Sequence, residues 1–135
     1  MLALVLMGCT SSSTLDLTLF VSEDALHSIP EFPVQVIVDL NRGGVYDVLS
    51  ICSRPSGFLE AHLDTPEYLG CQEEPKLLRA AIISSVSAET CVDGQTSLTK
   101  TFPDSRLFLA YGEEPIFETG ICGVEEQTTL VISAL

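Results

Sequence analysis

The chain predicts an all-β fold, an antiparallel β-sandwich of seven to nine short strands. Three observations predict it. Apolar and polar residues alternate along many short segments, and Gly, Pro and acidic turns separate those segments. No stretch sustains the helical periodicity expected of a long helix. At 135 residues and 46% hydrophobic content, the chain fits one domain with a real core.

The elements follow in order. Leu15, Leu17, Leu19 and Val21 alternate with Asp16 and Thr18, the period-2 pattern of a half-buried strand. Glu23 to His27 has room for one helical turn before Ile29-Pro30 and Phe32-Pro33 impose extended geometry. Val34, Val36, Val38 and Leu40 share a face of the next strand. Asn41-Arg42-Gly43-Gly44 reads as a turn, so Val45 to Cys52 completes a hairpin. Arg54 to Gly57 turns the chain into a fourth strand, Phe58 to Leu63. Asp64 to Lys76 reads as a loop, and Leu77 to Val86 as a strand because of its β-branched second half. Thr90 to Asp104 is read as loop with a short strand over Ser97 to Phe102. Leu107 to Tyr111 and Ile116 to Thr119 flank Gly112-Glu113-Glu114-Pro115 and read as another hairpin, and Gln127 to Ala134 closes the chain as a strand.

This density of strands points to an immunoglobulin-like or transthyretin-like Greek key. The chain has no Trp, so the usual core Trp of an immunoglobulin domain is missing. A small closed barrel is the alternative.

Nineteen acidic residues against six basic ones give a net charge of −13. Such a surface repels phosphate backbones and bare anionic head groups, so nucleic acid is excluded as a partner. Basic proteins and divalent cations remain electrostatically acceptable. The plainer reading is a solvated acidic surface that maintains solubility.

A short apolar run from Met1 to Met7 delivers Gly8-Cys9, and the Thr-Ser-rich stretch Thr10 to Thr14 follows. Leu6-Met7-Gly8-Cys9 resembles the lipobox of bacterial lipoprotein precursors: a branched aliphatic, a tolerant position, a small residue, then cysteine. The resemblance implies cleavage before Cys9 and acylation of that residue. Residues 1–8 would be a signal peptide, 9–14 a lipidated flexible leash, and 15–135 a single β-sandwich domain. No Lys or Arg precedes Arg42, so a charged n-region is expected upstream of the recorded start. Met1 to Met7 is too short to span a bilayer, which takes about 20 apolar residues. Thr10, in place of the Asp that favours inner-membrane retention, implies the outer membrane. The competing reading makes Met1 to Met7 an ordinary first strand and Cys9 a buried thiol.

With Cys9 acylated, Cys52, Cys71, Cys91 and Cys122 remain, an even set that suggests two disulfides in an exported domain. Cys52–Cys71 and Cys91–Cys122 are the expected pairs among three connectivities, since each brackets a short segment. A Cys₄ zinc site would draw on closely spaced pairs, which are absent.

No catalytic constellation stands out. His27 and His62 are isolated, and the zinc-protease, P-loop, dinucleotide and nucleophile-elbow motifs are all missing. Four acidic residues, Asp64, Glu67, Glu73 and Glu74, share one loop, while Glu113-Glu114 and Glu125-Glu126 are expected in others. Converging loops of this kind can bind calcium, although no calcium-loop spacing is present. No cofactor or metal is expected. The leading expectation is a non-enzymatic lipoprotein of the cell envelope, anchored at Cys9 and binding an envelope protein. The alternative is an inhibitor or chaperone-like binder presenting Tyr68-Leu69 beside Cys71, or Ile121 beside Cys122. A third reading, a hydrolase using paired carboxylates, needs two carboxylates about 5–9.5 Å apart in a cleft.

Overall fold

A computed structural model describes residues 12–65, 67–69, 75–85, 90–118 and 123–135. Cys9, Cys71, Glu73, Glu74, Ile121 and Cys122 lie outside the described residues.

The strands form where alternation predicts them. β1 (Ser12–Val21) buries Leu15, Leu17, Leu19 and Val21 and leaves Asp16 exposed. It begins at Ser12, so Ser12 to Thr14, expected in the leash, are strand, and Ser13 is fully buried. Helix α1 (Glu23–Ser28) follows, capped by Ser22, whose Oγ accepts from the Ala25 N–H at 3.1 Å. Glu23 and Asp24 in its first turn suit the helix dipole. The Arg54 guanidinium donates to the carbonyls of Leu26 and Ile29 and stacks on Phe32, tying the helix end to the chain after the next hairpin.

β2 (Val34–Asp39) and β3 (Tyr46–Ile51) form the expected hairpin, with Val34 opposite Ile51 and Val38 opposite Asp47. Its turn uses positive φ at Asn41, Gly43 and Gly44. β4 (Leu59–Leu63), β5 (Tyr68–Leu69), β6 (Lys76–Ser84), β7 (Thr96–Thr99), β8 (Ala110–Ile116) and β9 (Glu125–Ala134) complete the set.

The all-β reading holds, but the two-sheet sandwich does not. One mixed, strongly curled open sheet, a half-barrel, runs β4-β1-β9-β8-β6-β2-β3-β7, with β5 also on β1. Among the described residues every hydrogen-bonded strand pair is antiparallel except β1 with β9, which run parallel from Thr14↔Glu125 to Val21↔Ile132. The physical reason is continuity. Each strand hands its hydrogen bonds to the next, so no break divides the strands into two facing layers. The apolar faces bury by curling around one core, which gathers Leu17, Leu19, Val36, Ile82, Leu130 and Ile132 with Leu26 of α1.

The second hairpin is also corrected. Gly112-Glu113-Glu114-Pro115 is not a turn, because β6 pairs with β8 along its whole length, from Lys76↔Ile116 to Ile82↔Ala110. β8 keeps only Ala110 and Tyr111 in register with β9. Pro115 therefore lies where β8 has a ladder on one side alone, a place where a missing N–H is tolerated. Glu125 and Glu126, expected in a loop, open β9.

A second layer lies on the outside of the curl. Phe102 contacts Tyr46 and Phe108, and Phe108 stacks on Tyr111 with centroids 5.0 Å apart. Arg79 places its guanidinium 4.0 Å from the Phe102 ring centroid while its Nε donates to Asp39 at 3.0 Å. These contacts fasten the chain between β7 and β8 over β2, β3 and β6.

Candidate functional site

A single disulfide among the described residues joins Cys52 to Cys91. This overturns the expected pairs Cys52–Cys71 and Cys91–Cys122. Cys52 follows β3 directly and Cys91 precedes β7, and those two strands are hydrogen-bonded neighbours. Adjacency in the sheet, not distance along the chain, brings the thiols together.

The bridge stands beside the opening of the half-barrel. β4 ends the sheet, and among the described residues β1 is its only partner strand. Across from its free edge stand Leu49, Ser50 and Ile51 of β3, then Ser53, Pro55, Asp93 and Gly94. Together they enclose a groove of about 410 Å³ whose other wall is Leu59, Glu60 and Ala61. The Cys52–Cys91 wall is firmly built. Cys52 N–H donates to Asp93 Oδ1 at 2.7 Å, Ser50 N–H to the Gln95 carbonyl, and Gly94 N–H to the Ser50 carbonyl, both at 3.1 Å.

β4 is unusual among the longer strands in what it leaves open. Inward residues of β1, β2 and β6 such as Leu17, Val36 and Ile82 are fully buried, whereas Leu59, Ala61 and Leu63 of β4 are only half-buried. All three pack against the core, and Leu59 and Ala61 also face the groove. An edge of this kind offers unpaired backbone donors and acceptors beside apolar surface.

Other surfaces are less suited to binding. A polar cleft of about 570 Å³ at the start of the parallel pair is lined by Thr14, Asp16, Glu125, Glu126 and Gln127. The Glu126 carboxylate is already committed there, accepting from Phe117 N–H at 3.0 Å and from Thr128 Oγ1 at 3.2 Å. On the outer face, Leu98 and Leu107 are exposed beside a groove lined by Gln35, Ile37 and Ile83.

The sequence-predicted residues are scattered. His27 is exposed on α1, 3.7 Å from Glu23. His62 is exposed on β4, with Nδ1 3.2 Å from Thr18 Oγ1 and 3.9 Å from Asp16 Oδ1. Glu113 and Glu114 lie on β8 opposite Arg79 and Leu78, and Glu125 and Glu126 on β9, so these acidic pairs do not form the converging loops expected for calcium. Among the described residues, no three His, Cys, Asp or Glu side chains are grouped to hold a metal ion. Tyr68 is buried at 7% exposure, its hydroxyl donating to the Leu40 carbonyl at 2.7 Å. It cannot be the exposed apolar contact of the inhibitor-like reading. No helix among the described residues is long and apolar enough to cross a membrane.

Sequence reasoning missed the groove itself. Leu49, Ile51, Pro55 and Asp93 carry no shared local signal, since they meet only through the curl of the sheet. No protein-family model, no curated protein and no solved structure matches this chain.

Proposed function

We propose that this chain is an exported, lipid-anchored binding module, held to an envelope membrane through Cys9, whose contact surface is the open seam between β3 and β4. The observation that carries the export reading is the Cys52–Cys91 bridge, because disulfides form and persist in oxidising compartments. The lipobox-like Leu6-Met7-Gly8-Cys9 supplies the anchor.

A tether at Cys9 would have a short reach. β1 begins three residues after Cys9, so the connecting chain spans at most about 10 Å. The domain would sit close to the bilayer with its β1 N-terminal end down. A net charge of −13 opposes adsorption to anionic head groups, so retention would depend on the acyl chains.

With Cys52 and Cys91 paired, the cysteine count leaves Cys71 and Cys122 for the second bridge that this reading expects. Their described neighbours support it: Leu69 pairs with Ser12, and Val124 N–H donates to Ser13 Oγ at 3.1 Å. Both flanks therefore reach the same end of β1.

Intact mass of the native protein, extracted from membranes and compared before and after reduction, tests this reading. A species beginning at Cys9 with added acyl mass, gaining about 4 Da on reduction, is expected. An unprocessed chain with five free thiols would overturn both the anchor and the export reading.

A further inference from the structure

We propose that the free edge of β4 is a self-association surface and that it pairs with β4 of a second copy of this chain. The proposal rests on the seam as the contact surface; it does not depend on the anchor at Cys9.

The sequence of β4, Leu59-Glu60-Ala61-His62-Leu63, is self-complementary: its apolar positions are symmetric about Ala61, and Glu60 and His62 occupy mirror positions. Two such strands running antiparallel about Ala61 place Leu59 opposite Leu63 of the second copy and Ala61 opposite Ala61. Glu60 then faces His62 of the second copy, twice per dimer. Directly opposed residues of an antiparallel pair lie on the same face with Cβ atoms about 4.5–5.5 Å apart. The inner face gains apolar pairs and the outer face gains two carboxylate–imidazole pairs.

Side-chain complementarity, a carboxylate facing an imidazole, also chooses the register. A shift of two residues in one direction opposes Glu60 to Glu60, and in the other His62 to His62. A shift of one residue sets inward-facing side chains against outward-facing ones, which the half-buried inner face forbids. Parallel pairing in register repeats the like-with-like arrangement. Proteins commonly blunt exposed edges with charge. Here the same two residues disfavour the other registers and favour this one.

Burial argues the same way. Leu59, Ala61 and Leu63 are the inward residues of a strand that ends the sheet, and they remain half-buried. A second β4 would cover them with Leu63, Ala61 and Leu59 of its own. The outer pair is accessible: Glu60 is exposed, and the His62 side chain is 72% exposed despite its contacts with Thr18 and Asp16. The twofold pairing is isologous and closes at two copies.

Sedimentation velocity on the full chain in 0.15 M salt tests the proposal. At that ionic strength the Debye length of about 8 Å confines the repulsion between two strongly acidic copies. A reversible, concentration-dependent dimer is expected. E60K and H62E should each weaken it about tenfold by removing the unlike pairs. The double variant E60K/H62E restores unlike pairs in the reverse order, and it should return the dissociation constant to within about threefold of wild type. Both positions are exposed, and unchanged thermal melts of the variants would show that the fold is intact.

A chain that stays monomeric up to about 0.5 mM would overturn the proposal, as would a dimer indifferent to the single substitutions. Neither result bears on the mass of the native protein, so this inference and the anchored-module reading fail separately.

Discussion

Tyr68 lies at 7% exposure with its hydroxyl donating to the Leu40 carbonyl, and Asp39 adds negative charge nearby. Burial first, and then the Asp39 carboxylate, push its phenol up to about 12, against a partial opposing pull from Arg42. The folded state therefore favours the neutral phenol, whereas the unfolded chain ionises near the usual value of about 10. The stabilisation is complete below about pH 10 and is lost as pH rises through about 12. Urea midpoints should fall across that window, and Tyr68→Phe should flatten part of the fall. Tyr111, raised by burial and by Glu113, contributes in the same direction, so part of the slope should survive. An identical slope in wild type and Tyr68→Phe would contradict this account. At this scale, alternation was a good guide to β1 and β2, whose inward faces are the buried ones. Tyr68 was not legible, because its local sequence looks like a loop and its neighbours come from far along the chain: β1 pairs with it at Ser13, and Phe117 packs edge-on against its ring.

The β2–β3 hairpin announced itself through alternation and a Gly-Gly turn, and both strands formed with the expected partner. β8 did not, because Gly112 and Pro115 look like turn residues until β6 supplies seven consecutive partners. The Cys52–Cys91 bridge was hidden for a related reason: pairing of β3 with β7 is non-local, and cysteine spacing carries no trace of it. The bridge closes a loop of 39 residues, for which chain entropy predicts about 4 kcal/mol. Replacing both cysteines by serine should cost about 2–4 kcal/mol in urea unfolding. Because β7 has four residues and, among the described residues, pairs with β3 alone, its amides should exchange earliest in that variant, ahead of those in β1. A double variant within about 0.5 kcal/mol of wild type would mean that the β3–β7 ladder holds this edge unaided. The self-complementary order of β4 was present in the sequence throughout. It acquires meaning only from the finding that β4 is an edge strand with an open side.

Strand count and core composition do not decide between a sandwich and a curled sheet, because the same alternation serves either. What decides is how the two ends of the chain meet. β1 and β9 lie side by side in parallel, and β9 then hands over to β8 through a ladder of only two residues, Ala110–Ala134 and Tyr111–Ser133. Just beyond that ladder Gly112 passes so close to β9 that an added Cβ would lie 1.9 Å from the Val131 carbonyl oxygen and 2.8 Å from its carbon. Both atoms are backbone, so no side chain can rotate out of the way. The passage of β8 across β9 thus requires glycine for contact rather than for φ, and it joins the β4-β1-β9 half of the sheet to the β8-β6-β2-β3-β7 half. Gly112→Ala should force the halves apart and cost about 3 kcal/mol or more, lowering the melting temperature by about 10 °C or more. The same substitution at Gly43, in the β2–β3 turn, meets no atom within 4 Å, and its cost comes from positive φ alone. It should destabilise by only about 1 kcal/mol. Comparable melting temperatures for the two variants would show that the close crossing of β8 and β9 is not what holds the curl. A large gap between them would place the closure of the sheet at Gly112, a residue whose sequence neighbours read as an ordinary turn.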